Sequence, residues 1–306
     1  MQRAYITKLM ELAEKDRNVL HLLSDSGTAY DEMFKGYFPT QCINFGIAEE
    51  LKVAAAAGLA TCGKIPFLFT SGAFLAYRAF EFIRDDICFS NLNVKLVGMG
   101  SGLSWSSLGP SHHTTEDVGV LRTLPGLKIL SPATPEQLSA CVEEAYETNG
   151  PVYIRMGMSN EPEYFTKERA GLSCQVLEKG HEITVVSTGT ILEEVIKAKE
   201  LLKKEGIQVN LISISRLKPF DPEPVFSLKG KRIITVEEHN INGGLGSILA
   251  EAVAEAGLKV PIKRIGLNDV FASGYGSLFD VRATNSLDGA SIARTIKTYL
   301  EKGENR

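Results

Sequence analysis

The chain has 306 residues, of which 44% are hydrophobic and 23% charged, with a formal net charge of −4. That length is comfortable for two domains, and the balance is that of a globular protein. A mildly acidic chain without a basic patch or tail argues against nucleic acid as a partner, and no apolar run reaches the length of a membrane span.

The first segment, MQRAYITKLMELAEKD, is amphipathic and carries acids, and it lacks the apolar core of a signal peptide. Short apolar runs then alternate with helical patterns. VLHLLS (19–24), IPFLFT (65–70), NVKLVGMG (93–100), LKILSP (127–132) and PVYIR (151–155) read as buried strands. Thr134 as cap and Pro135 in the first turn start a helix over 134–147. Such alternation predicts an α/β fold, a parallel sheet with helices on both faces. Residues 156–180 are polar, proline-containing and aperiodic, and break the pattern. Taking 161–180 as a linker leaves one domain over 1–160 and a second parallel-sheet α/β domain over 181–306. In the second, EITVVSTG (182–189), VNLISIS (209–215), RIITVEE (232–238) and VPIKRIGLN (260–268) read as strands. Helices are expected over 190–205, from Leu245, and over 286–301. The five cysteines, Cys42, Cys62, Cys88, Cys141 and Cys174, have no CxxC spacing. An odd, scattered set in apolar surroundings reads as reduced thiols of a cytoplasmic protein.

NFGIAEELKVAAAAGLA (44–60) is the most informative stretch. Ile47, Leu51, Ala54 and Gly58 fall on one helical stripe. The alanines and Gly58 remove side-chain bulk, so the helix can approach another backbone closely, as at a subunit or domain contact. Gly46 lets the chain turn sharply into the helix. Glu49 and Glu50 occupy the first turn, where the macrodipole stabilises a carboxylate. Neighbours on a helix point about 100° apart, so one can face a buried site while the other stays wet.

This stretch resembles the pyrimidine-binding domain of transketolase-type thiamine diphosphate enzymes: Gly–Ile–(Ala or Arg)–Glu, then a small-residue helix ending in Gly–Leu–Ala. FTSGAFLAYRAFEFIRDD (69–86) is similar to the family's aromatic-then-arginine helix. NLNVKLVGMGSGLSWSSLGPSHHTTEDVGVLRTLPGLKILSPATPEQ (91–137) is similar to its next strand, active-site loop, helix and strand. GPVYIRMG (150–157) resembles its closing strand. VVSTGT, ISISRLKPFD and VEEHNINGGLGS resemble the transketolase C-terminal domain. The resemblance covers nearly the whole chain, in order.

The resemblance implies residue roles. Glu49 matches the glutamate that hydrogen-bonds N1′ of the cofactor's aminopyrimidine and selects its imino tautomer. To donate, Glu49 must carry a proton, which burial favours and the helix dipole opposes. Glu50 is a neighbour. Phe74, with Leu75 as the alternative, matches the aromatic that stacks on the pyrimidine; a core phenylalanine is the plain reading. Arg78 lies on the same segment, as a cofactor contact or a structural residue. His112, in GPSHH, matches the active-site histidine, for proton transfer or a hydrogen bond to substrate, with His113 in reserve. Two adjacent histidines on a Gly/Ser-rich loop are seldom core packing, and a zinc site would need further ligands. Asp25 follows a strand end, where open α/β sheets place ligands. It resembles the acid near the thiazolium, a turn aspartate being equally open. Arg155 matches the arginine that holds a sugar phosphate, with Arg3 a weaker candidate. NGGLGS (242–247) lacks dinucleotide spacing and reads as a structural turn.

Two departures follow. Transketolases carry an aspartate before Gly–Pro–(Thr/Ser)–His that reads a sugar hydroxyl; here WSSLGPSHH places Leu108 there, with Trp105 nearby. The substrate is therefore expected to differ from an ordinary pentose or hexose phosphate. The Gly–Asp–Gly…Asn site for Mg2+ and the diphosphate is not found. The resemblance then implies a partner, an N-terminal diphosphate-binding subunit that supplies the Mg2+ ligands, in an α2β2 assembly. The expected function is the β-type subunit of a split transketolase that moves a two-carbon ketol unit between sugars or sugar phosphates. A 2-oxo acid dehydrogenase β subunit, a deoxyxylulose-phosphate-synthase-like enzyme and a non-catalytic scaffold subunit are the alternatives.

Overall fold

A computed structural model describes residues 1–25, 29–158, 160–228 and 230–304. The first sheet contains β1 (Val19–Leu23), β2 (Cys42–Asn44), β3 (Ile65–Ser71), β4 (Lys95–Met99), β5 (Lys128–Leu130) and β6 (Val152–Met156). The second contains β7 (Cys174–Glu178), β8 (Ile183–Ser187), β9 (Asn210–Ile214), β11 (Arg232–Asn240) and β12 (Ile262–Leu267). β10 (Arg216–Lys218) joins the first sheet, giving the orders β10-β5-β6-β4-β3-β1-β2 and β12-β11-β8-β9-β7. Pairing is parallel except at two edges, where β10 meets β5 and β7 meets β9 antiparallel. The α/β class and two sheets are as the sequence predicts.

The strands β1, β4, β6 and β9 are buried along their whole length, as expected where helices cover both faces. Period-2 alternation sorts the core. Leu20, Leu22, Leu68 and Leu96 face Val53, Ala56 and Leu75 of one helical layer. Val19, Phe67, Phe69 and Val97 share the other core with Tyr5, Ile6 and Leu9 of the helix Gln2–Lys15 and with Leu138 and Val142 of the helix Pro135–Glu147. That second helix starts at the expected cap, where Thr134 Oγ1 accepts from Gln137 N at 3.2 Å.

Three strands, β2, β7 and β10, fall where the sequence reading places none. The expected linker 161–180 contains β7, an edge strand whose glutamine and glutamate hide its alternation. The strand expected over 209–215 ends at Ile214 and a separate strand, β10, begins at Arg216, the chain passing between the sheets at Ser215. Its backbone N–H donates to Ser173 of the second domain at 2.9 Å, while its carbonyl accepts from Ser131 of the first at 2.6 Å. A three-residue strand carries too little pattern to be read as a separate element. No helix among the described residues is long and apolar enough to cross a membrane.

Candidate active site

At the carboxyl edge of the first sheet, the loops after β1, β3 and β4 converge with the helix that follows β2. Gly46, at φ +67°, turns the chain into the helix Glu49–Thr61. The preceding Ala48 offers no side-chain cap, which leaves the first turn to Glu49 and Glu50. Glu49 is only 2% exposed, whereas Glu50 is half-buried. The Glu49 carboxylate accepts from Arg78 Nη1 at 2.8 Å, Thr70 Oγ1 at 3.4 Å and Ser24 Oγ at 3.5 Å. These three partners are donors, so in this state Glu49 accepts from them; to donate to a ring nitrogen, its outer oxygen must be released by Arg78.

The segment after β3 winds as a π-helix over Phe74–Arg78, a widened turn common at functional sites. Leu75 is buried in the core, whereas Phe74 is half-buried. The Arg78 guanidinium lies 4.6 Å from the Phe74 ring centroid, so one flat cation covers both the aromatic face and the carboxylate. Tyr77, which the sequence pattern does not single out, ties this segment to the histidine loop. Its hydroxyl donates to Glu116 Oε2 and accepts from Glu116 N, both at 2.9 Å. Burial, then the Asp117 and Glu116 carboxylates, push its phenol pKa far up and keep it neutral.

The two histidines separate. His112 is half-buried, edge-on to Phe74 at 5.1 Å and to Trp105 at 6.1 Å between centroids, with Nδ1 2.9 Å from Ser111 Oγ. His113 is 2% exposed, and neither ring nitrogen has a hydrogen-bond partner among the described residues. Burial lowers its pKa, with Glu238 and Glu116 opposing. The loop bearing both rests on the second domain. A Cβ at Gly102 would fall 2.5 Å from Glu238 Oε2, and Ser106 Oγ donates to Gly276 O at 2.8 Å. Leu108 is 44% exposed. Asp25 is exposed directly after Ser24, at the end of β1.

Two predicted contacts fall elsewhere. Arg155 is buried between the domains. Its Nε donates to both Asp117 oxygens at 3.1 and 2.9 Å, and its Nη2 to the carbonyls of Thr114 and Glu238 at 2.8 and 2.9 Å. A guanidinium so committed is not available to a sugar phosphate. Arg3 is exposed on the helix Gln2–Lys15 and lines a cavity with Lys8, Glu136 and Glu161, apart from Glu49 and His112. The NGGLGS turn is built to cap a helix. Glu237 accepts from Leu245 N at 2.7 Å and Gly246 N at 2.9 Å, and a Cβ at Gly243 would lie 2.7 Å from Gly119 Cα.

Residues 1–162 match the family model described as the transketolase pyrimidine binding domain, and residues 173–298 match the transketolase C-terminal domain. The chain belongs to the transketolase family. It is similar to a putative transketolase C-terminal section of Methanocaldococcus jannaschii, with 35% identity over 99% of this chain and 96% of the relative. It is equally similar, at 35% identity over 94% of each chain, to one of the subunits of the apulose-4-phosphate transketolase of Actinobacillus succinogenes. Among solved structures, a split gene transketolase described as an inactive β4 tetramer matches with TM-score 0.88 and 34% identity over 97% of both chains. Glu49, Phe74 and His112 all lie within the residues matched by the pyrimidine-binding model. A cavity of about 650 Å3 is lined instead by residues such as His181, Lys231 and Lys297 of the second domain.

Proposed function

We propose that this chain is the β-type, C-terminal subunit of a split transketolase. It transfers a two-carbon ketol unit from a ketose to an aldose, probed best as sugar phosphates, with an N-terminal diphosphate-binding subunit as partner. The observation that carries the reading is the meeting of a buried acid, an aromatic face and an imidazole: Glu49 and Phe74 joined by one guanidinium, and His112 edge-on to Phe74. A flat heterocycle with a ring nitrogen needs such a platform beside such an acid, so these residues fit the aminopyrimidine of thiamine diphosphate.

When bound, that cofactor supplies the nucleophilic carbon and the electron sink for breaking and making the ketol bond. The chain's own residues do the rest. Glu49 holds or gives a proton at the ring nitrogen, Phe74 fixes the ring's plane, and Arg78 releases both. His112 hydrogen-bonds or protonates substrate oxygens, with His113 next to it in the chain and Asp25, at the end of β1, as a further candidate. Mg2+ and the diphosphate are held by the partner. Leu108 cannot accept a hydrogen bond from a sugar hydroxyl, which supports a substrate outside the common pentose and hexose phosphates.

The partner surface is supported by the helix that carries Glu49. Ile47 and Leu51 are 79% and 60% exposed, and nothing lies within 4 Å of a Cβ built at Gly58. This exposed apolar pair, Leu51 on the helix and Ile47 just before it, suits burial by another chain in an α2β2 assembly. The five cysteines are free thiols, in keeping with the cytoplasm. The test is reconstitution with the diphosphate-domain partner. Glu49→Gln should reduce ketol transfer severely and leave assembly intact; unchanged turnover would support a scaffold subunit. Preference for pyruvate over a ketose phosphate would support the deoxyxylulose-phosphate-synthase or dehydrogenase alternative.

A further inference from the structure

Lys52 is fully buried one helical turn from Glu49, on the same face of the helix. Its Nζ donates to Ser24 Oγ at 2.6 Å and to the Phe69 carbonyl at 3.1 Å. Ser24 Oγ in turn lies 3.5 Å from Glu49 Oε1. The ammonium and the acid therefore share one hydroxyl. The charged groups around Lys52 come from several elements. Glu49 is on its own helix, and Asp31 comes from the helix Ala29–Tyr37. His21 of β1 is 3.3 Å from Asp31, and Arg78 from the segment after β3 is paired with Glu49. Burial pushes Lys52 down to about 7, against the pull of Glu49 and Asp31.

A second buried lysine is the control within the same molecule. Lys95 Nζ donates to the carbonyls of Thr148 at 2.6 Å and Gly150 at 2.9 Å and to the Asn93 side chain. Its hydrogen-bond partners are neutral oxygens, and it closes the connection between β4 and β6. Lys52 has one such carbonyl and otherwise faces the hydroxyl that leads to the acid.

Resting on the reading of Glu49 as the cofactor-facing acid, we propose that Lys52 is a positioning residue that decides, through Ser24, whether Glu49 holds a proton. A cationic Lys52 stabilises the Glu49 carboxylate; a neutral Lys52 withdraws that support. One proton moves from Lys52 Nζ to Ser24 Oγ as the Ser24 hydroxyl proton moves to Glu49 Oε1. That exchange converts ammonium and carboxylate into amine and carboxylic acid with no change in net charge.

An NMR titration of the full chain with 13C at the lysine ε-carbon reads Lys52 directly, without cofactor or turnover; Lys52→Arg assigns the signal. The expected midpoint is near neutral, and Glu49→Gln should lower it by about one pH unit or more, a tenfold loss of proton affinity. A midpoint above pH ~9, close to that of an ordinary lysine, or one that Glu49→Gln leaves in place, overturns the proposal. With the partner present, Lys52→Met and Lys52→Arg should each flatten the limb of the kcat/KM profile near neutral pH. One variant is locked neutral and the other charged, with the charged one less active. A structural lysine would change the height of the profile and keep its shape, which also overturns the proposal. Where Lys52→Met does not fold, Lys52→Arg and the titration still decide. Loss of coupling speaks against Lys52 alone, whereas an active Glu49→Gln enzyme speaks against the role of Glu49 itself.

Discussion

Two clusters of buried charge among the described residues are finished to different degrees. Between the domains, Arg155 makes four hydrogen bonds, two to Asp117 and two to carbonyls, and Glu238 is paired with Arg282. Glu237 receives two backbone N–H groups at the start of the helix Leu245–Glu255. At Glu49 the hydroxyl contacts are long, 3.4 and 3.5 Å, and the close partner, Arg78, has a side chain that is 42% exposed. Burying a charge costs several kcal/mol unless geometry and partners repay it. The interdomain cluster meets that demand from within the chain and joins the domains. The Glu49 cluster meets it loosely, with a half-exposed cation, which is what a site completed by a ligand needs.

Substitutions that separate activity from stability would break or sharpen this contrast. Glu49→Gln should reduce turnover of the reconstituted enzyme by about 10²–10⁴-fold, with the thermal midpoint little changed. Arg155→Met should do the reverse. Stranding Asp117 should remove about 3–5 kcal/mol of stability, read as a lower midpoint in denaturant. If Arg155→Met left stability intact and lost sugar-phosphate affinity, the two clusters would have been assigned the wrong way round. His112→Asn should lower kcat about 100-fold while His113→Asn lowers it less, because only His112 sits against Phe74 and Trp105. The smallest effect is expected from Glu237→Ala, which uncaps one helix for about 1–2 kcal/mol, measured by thermal unfolding with activity retained in the folded fraction.

The contrast also explains what could be read from the sequence. The strands were legible because parallel strands buried on both faces are nearly continuous apolar runs. β2, β7 and β10 were not: β7 is an edge strand diluted by polar residues, and the other two are only three residues long. The position of Glu49 was legible because a first-turn acid before a run of alanines is a local pattern. The exposure of that helix's apolar stripe depends on what else the fold packs nearby, and no pattern within the stretch tells an inner face from an outer one. Arg155 was misread for a related reason. Its partner Asp117 lies 38 residues away, and an arginine at the end of a strand looks the same whether it meets a phosphate or a buried aspartate. Lys52 escapes notice although it lies only three residues beyond Glu49, because a lysine on a helix is normally a solvated residue.

The account rests on this chain supplying one half of a site that another polypeptide completes. The most direct measurement is two-carbon transfer from a ketose phosphate to an aldose, with thiamine diphosphate and Mg2+, by this chain alone, by its diphosphate-domain partner alone, and by the two mixed. Turnover should emerge only on mixing and saturate at equal numbers of the two chains. Ketol transfer by this chain alone would contradict it.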